Sequence, residues 1–128
     1  MPLKITLKPR ERLILGGAVV RNGDAAARLT VENEVPILRQ QDILSERNAN
    51  SPCRRIYFAI QLMYVDQPNL ADHRELYGTL VNDVLTAAPS TVRFTDEIGK
   101  LVVEQKYYQA LKIARRLIDY EQELLRHT

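Results

Sequence analysis

Apolar stretches recur at residues 5–7, 13–15, 18–20, 29–31 and 35–38, each only a few residues long. That spacing belongs to short strands, and turn-forming residues separate them: Pro9-Arg10, Gly16-Gly17 and Asn22-Gly23. Asn-Gly suits a two-residue type I′ turn, which needs positive φ at both positions, so a β-hairpin is expected about Asn22-Gly23.

Past residue 44 the rhythm changes. A polar connector, 45–52, leads into Ser51-Pro52, where a serine can cap the first free amides and a proline fits the first helical position. A helix should run from there to about Val65, with Ile56, Ile60 and Met63 on one face. Residues 56–65 are apolar nearly all round, so this segment is either the most buried helix or a buried strand.

Pro68 ends it. Asn69 should cap a second helix striped by Leu70, His73, Tyr77, Leu80, Val84 and Ala87 or Ala88 and stopped by Pro89. Thr95, followed by Asp96 and Glu97, should cap a third, with Leu101, Tyr108, Leu111, Ala114, Ile118 and Leu125 along one face for roughly eight turns. Of Tyr107 and Tyr108, one ring should enter the core and the other stay partly exposed. Strands before helices define an α+β protein. We expect one domain over residues 1–128. A small N-terminal antiparallel β-sheet, within residues 1–47, is followed by three α-helices within residues 51–128, the last two forming a long helical hairpin.

Composition changes little. The chain has 128 residues, 45% hydrophobic and 27% charged, within the ordinary globular range. Its longest apolar run is far short of the ~20 residues that cross a bilayer. Its first residues lack the apolar core of a secretory signal, and its single cysteine, Cys53, has no internal disulfide partner. A cytoplasmic location with no membrane contact is therefore expected.

Enzymatic chemistry finds no foothold. No nucleophile elbow, phosphate loop or dinucleotide fingerprint is present, and Gly16-Gly17 reads as a turn. The two histidines, His73 and His127, have no metal-ligand spacing. Asp72-His73-Arg74-Glu75 places acids and bases at consecutive helix positions, which point in different directions. No catalytic residue, metal or cofactor is expected.

Charge is more informative. Net charge is +2, and residues 1–68 hold ten Lys/Arg against seven Asp/Glu, while 69–128 hold eight against nine. Lys4, Lys8, Arg10, Arg12, Arg21 and Arg28 punctuate the strands and turns. On one exposed face they would form a shallow basic surface for phosphate. Arg54-Arg55 stands near the start of the first helix, where the macrodipole disfavours cations, so helix stability does not explain it. The pair is a second candidate contact, for an acidic partner or for RNA phosphate with Tyr57 as a stacking ring.

Several stretches together resemble the FlbT family: Leu7-Lys8-Pro9-Arg10-Glu11-Arg12, Gly17-Ala18-Val19-Val20-Arg21-Asn22-Gly23, Arg54-Arg55-Ile56-Tyr57-Phe58 and Gln61-Leu62-Met63-Tyr64. The likeness covers essentially the whole chain, with Arg10 standing where the family usually has glycine. The resemblance implies a post-transcriptional repressor of flagellin. Such a protein associates with the flagellin messenger RNA leader, promotes its decay and opposes a FlaF-type regulator. It carries no catalytic residues and no agreed set of RNA contacts.

A shorter stretch, Lys8-x-x-Glu11-x-Leu13-Ile14-Leu15-Gly16, with Arg39-x-x-Asp42-Ile43, resembles the carbon storage regulator family. That family binds RNA at dimer edges built from its first and last strands, which nominates Lys4 and Arg39. The alternative function is a protein-interaction module for a FlaF-type regulator or flagellin, acting on the message only indirectly. Exposed strand edges favour a homo-oligomer, of which a dimer joined through those edges is one form.

Overall fold

The computed structural model describes residues 2–127. It divides into two compact units, Met1–Ile43 and Leu44–Thr128. The first holds β1 (Leu3–Leu7), β2 (Arg12–Leu15), β3 (Ala18–Arg21), β4 (Ala27–Val31) and β5 (Ile37–Arg39). The second holds α1 (Pro52–Val65), α2 (Leu70–Ala87), α3 (Val92–Val103) and α4 (Tyr107–Arg126).

Each of the five apolar stretches gives a strand, the last only from Ile37, but their pairing differs from the expectation. They form two small antiparallel sheets, β1-β4 and β3-β2-β5. The hairpin joins β2 to β3 at Gly16-Gly17, where Gly16 takes φ +59°. Asn22-Gly23 is not a type I′ turn, and β3 does not pair with β4.

Asn22 uses its side chain instead. Its Nδ2 donates to the carbonyls of Lys8 (2.8 Å) and Ala25 (3.0 Å), and its Oδ1 accepts from the Gly23 amide (2.8 Å). The Arg10 amide donates to the Gly23 carbonyl and the Asn22 amide to the Glu11 carbonyl, both at 2.8 Å. The β3–β4 loop is thereby tied to the β1–β2 loop rather than folded into a hairpin. We expect Asn22→Ala to cost about 1–2 kcal/mol, because those carbonyls lose their donor. Denaturant titration followed by far-UV circular dichroism checks it.

The core of this unit is Ile5, Leu7 and Leu13, with Leu15, Leu29, Val31 and Ile37 packed around them. Alternation along each strand sends these side chains to one face of each sheet, and those faces meet.

Helix α1 begins and ends where expected, which settles the helix-or-strand choice at 56–65. Ser51 Oγ accepts from the Arg54 amide, Pro52 opens the first turn, and Ile56, Ile60 and Met63 are fully buried. The unit starts at Leu44, whose backbone exchanges two hydrogen bonds with the buried side chain of Gln61 (2.8 and 2.9 Å). Asn69 precedes α2 but gives its side chain to Asp66 (3.0 Å) rather than capping the helix.

Two expectations about the C-terminal helices are corrected. First, the third helix is two helices. Thr95 lies inside α3 and is buried, its Oγ1 donating to the Val92 carbonyl, so it caps nothing. The break falls at Gln105, in left-handed backbone at φ +61°. There the Lys106 amide donates to the Leu101 carbonyl (2.8 Å) and the Gln105 amide to Val102 (3.0 Å), a Schellman closure. Glycine ordinarily holds such a position, which is why the pattern gives no sign of it. Likewise Arg10 sits in left-handed backbone at φ +62°.

Gln105→Gly and Arg10→Gly should each stabilise by about 0.5–1 kcal/mol, relief of left-handed strain outweighing the entropy of glycine. The Arg10–Asp24 ion pair lost in the second variant is exposed at both ends and adds little. Paired thermal melts check both.

Second, α2 and the C-terminal helices form no hairpin. The main packings are α1 on α2, α1 on α4 and α3 on α4. An apolar stripe shows that a helix has a partner without saying which, and the helix that is apolar nearly all round takes the centre. In α4 the buried face is Tyr107, Ala110, Leu111, Ala114 and Leu117, while Tyr108 is 41% exposed. One tyrosine is core and one outward, as expected, but Tyr108 and Leu125 lie off the buried face.

Candidate nucleic-acid interface

Register decides what the basic residues of the strands can do together. Lys4 pairs with Thr30 and Thr6 with Arg28, so Lys4 and Arg28 share the outer face of the β1-β4 sheet. Arg12 pairs directly with Arg21 on the other sheet, and both are exposed. Their face of that sheet also carries Ile14 and Leu38, both buried, so only its Arg12–Arg21 end is open. The strand cations thus form two pairs on different sheets, Lys4 with Arg28 and Arg12 with Arg21.

Arg12 beside Arg21 is the denser of the two. Like charges directly opposite across a strand pair repel, and both residues are exposed. Among the described residues neither has a carboxylate at salt-bridge distance. Only the Arg12 backbone amide is engaged, by Gln40 Oε1 at 2.7 Å. Lys8 lies exposed in the β1–β2 loop, and Arg10 is paired with Asp24 at 3.0 Å.

Arg39 is occupied within the unit. Its guanidinium donates to the Thr6 carbonyl (2.7 Å) and pairs with Glu11 (3.1 Å). Glu11 also accepts from the Lys8 amide, and that bond, with Arg39 beside it, holds its carboxyl below the usual range. Arg39 thus braces the β1–β2 loop. The first and last strands, β1 and β5, lie in different sheets, so the joint edge implied by the carbon storage regulator likeness is not formed within the chain.

At the start of α1, Arg55 is exposed and Arg54 is half-buried, its guanidinium 3.4 Å from Asn50 Oδ1. Neither has an acidic partner among the described residues. Tyr57 is not available as a stacking ring. It is 3% exposed, its hydroxyl accepts from Arg115 (3.1 Å), and the Arg115 guanidinium lies 5.4 Å from its ring centre.

The residue that sequence reasoning missed here is Glu121. It is buried in α4, where its Oε1 accepts from the Ser51 hydroxyl (2.6 Å) and its Oε2 from the Cys53 amide (3.0 Å). This carboxylate takes up a first-turn amide of α1 that has no partner within the helix, and it balances the positive helix end next to Arg54-Arg55. Its neighbour Cys53 is fully buried, and burial, with Glu121 adding to it, pushes the thiol up to about 12. A groove of about 450 Å³ opens beside this clamp, lined by Pro52, Val84, Ala88, Thr91, Glu121 and Leu124 among others. Nothing in a span of some seventy residues marks Glu121 as the partner of Ser51.

Among the described residues no helix is long and apolar enough to cross a membrane. No solved structure matches the chain. The family model of flagellar protein FlbT matches residues 3–125. The chain is 44% identical to the probable flagellum biosynthesis repressor protein FlbT 1 of Bradyrhizobium diazoefficiens, over 97% of this chain and 85% of that one. It is 39% identical to the flagellum biosynthesis repressor protein FlbT of Caulobacter vibrioides, over 99% and 92%. To the probable repressor FlbT of Rhodopseudomonas palustris it is 35% identical, over 98% of both. A match of this extent, running through both units, makes the chain a member of the FlbT family of flagellar proteins.

Proposed function

We propose that this protein represses flagellin synthesis after transcription, associating with the flagellin messenger RNA leader in the cytoplasm and promoting its decay, in opposition to a FlaF-type regulator. The observation that carries the reading is membership of a family whose relatives are named flagellum biosynthesis repressors. Cations without acidic partners, Arg12 with Arg21 above all, support direct contact with phosphate. The protein works by binding rather than by turnover.

A purified-protein titration against the leader and a scrambled RNA, at two salt concentrations fourfold apart, tests it. Preference for the leader is expected, with affinity falling roughly 50-fold across that interval if four phosphates of a single strand are contacted. Equal affinity for both RNAs, or no binding at the lower salt, would count against it.

One observation favours a second reading. The groove beside Glu121 is walled mainly by apolar side chains, and a protein segment from a FlaF-type regulator or flagellin would fit it better than an RNA backbone. On that reading the message responds indirectly, and a pull-down of either protein would survive high salt.

A further inference from the structure

Along α4, Tyr108, Lys112, Arg116 and Tyr120 follow one another at intervals of four, so they line one stripe of the helix surface about 18 Å long. Arg93 of α3 joins it at the Tyr120 end. Its guanidinium lies 4.8 Å from the Tyr120 ring centre and 4.9 Å from that of Phe94. Arg116 stands 6.0 Å from the Phe94 ring, and Lys112 stands 5.0 Å from the Tyr108 ring. The rings of Phe94 and Tyr120 are 5.2 Å apart, and the Tyr120 hydroxyl is fixed by Ser90 at 2.7 Å.

Arg93, Lys112 and Arg116 are all exposed, and among the described residues none has a carboxylate at salt-bridge distance. Asp96, Glu97 and Asp119 stand on the same two helices without closing on them. A guanidinium stacked on rings keeps its in-plane N–H groups directed outward, already oriented for phosphate. Tyr108, exposed as a residue, adds a ring whose centre lies 6.4 Å from that of Tyr64.

We propose that this cationic and aromatic stripe, Tyr108–Lys112–Arg116–Tyr120 with Arg93, is a binding platform for single-stranded RNA. The arginines and the lysine take phosphates, and Tyr108 takes a base. Cations that can follow a backbone, beside rings on which a base can stack, are the combination by which single strands are held. Neither the charge balance of the C-terminal half nor the outer faces of the strands indicates it. The inference rests on the RNA reading above and assigns it a site.

The experiment measures binding of a fluorescent single-stranded flagellin leader by anisotropy over a salt series, with a thermal melt of each protein. The proteins are wild type, Arg93→Gln/Arg116→Gln, Lys112→Gln and Arg12→Gln/Arg21→Gln. The first variant should bind at least tenfold more weakly, its slope of log affinity against log salt falling by about 1.4, the share of two phosphates. Lys112→Gln, exposed on the helix surface, should lose about threefold, and it decides the matter if the double variant does not fold.

If wild type binds no RNA, the RNA reading and the platform fall together. If wild type binds and only Arg12→Gln/Arg21→Gln weakens it, RNA binding stands and the platform is wrong. If polyglutamate displaces RNA from wild type as well as unlabelled leader does, the stripe is a site for acidic peptide and the proposal is overturned.

Discussion

Ile60→Ala should lower stability by about 3–4 kcal/mol, and the melting temperature by roughly 10–15 °C. Ile60 is fully buried on α1, between Ile56 and Met63 on the same helix, and α1 is packed by α2 and by α4. A cavity at a helix held by two others cannot close by moving one of them, so the loss should lie well above the transfer cost of the missing carbons. Leu76→Ala on α2, a site 45% exposed, should cost less than about 1 kcal/mol. Equal losses for the two would mean that α1 is not the centre of the helical unit. Calorimetry of both variants gives the comparison.

The second large effect is at Glu121. Glu121→Ala removes the acceptor of the Ser51 hydroxyl and of the Cys53 amide together, and each bond to a charged acceptor is worth about 1.5–3 kcal/mol. Water can enter from the adjoining groove and restore part of this, so a net loss of about 2–3 kcal/mol is expected. Glu121→Gln should lose about half as much, because its amide oxygen still accepts from Ser51 while its NH₂ group cannot accept from Cys53. Cys53 reports on the clamp directly. Buried, and with its thiol pushed up to about 12, it should resist alkylation at neutral pH in the native protein and react faster in Glu121→Ala. Alkylation at the native rate in that variant would show that Glu121 does not hold the start of α1.

The contrast between what the sequence disclosed and what it concealed follows from range. Ser51-Pro52 marks the start of α1 to the residue because capping is settled within four positions. The strand segments are legible because alternation is local. Pairing is not, since Asn22 spends its amide on the Lys8 and Ala25 carbonyls instead of turning the chain, and Gly16 turns it instead. The break between α3 and α4 stays hidden because glutamine occupies a position where glycine would have announced it.

The candidate site follows the same rule. That Arg12 meets Arg21, that Arg39 is spent on Glu11 and that Tyr57 is covered by Arg115 are all matters of register and packing. The i,i+4 spacing from Tyr108 to Tyr120 is present in the sequence. Its apolar neighbours mark the buried face more strongly, and Arg93 joins it only in three dimensions.

If this chain acts on the flagellin message, the half-life of that message depends on it. After a transcription block, flagellin messenger RNA should persist longer in cells lacking the protein and return to rapid decay when the wild-type chain is restored, with Arg93→Gln/Arg116→Gln restoring it poorly. An unchanged half-life in cells lacking the protein, with flagellin still overproduced, would mean that the protein does not act through decay of the message.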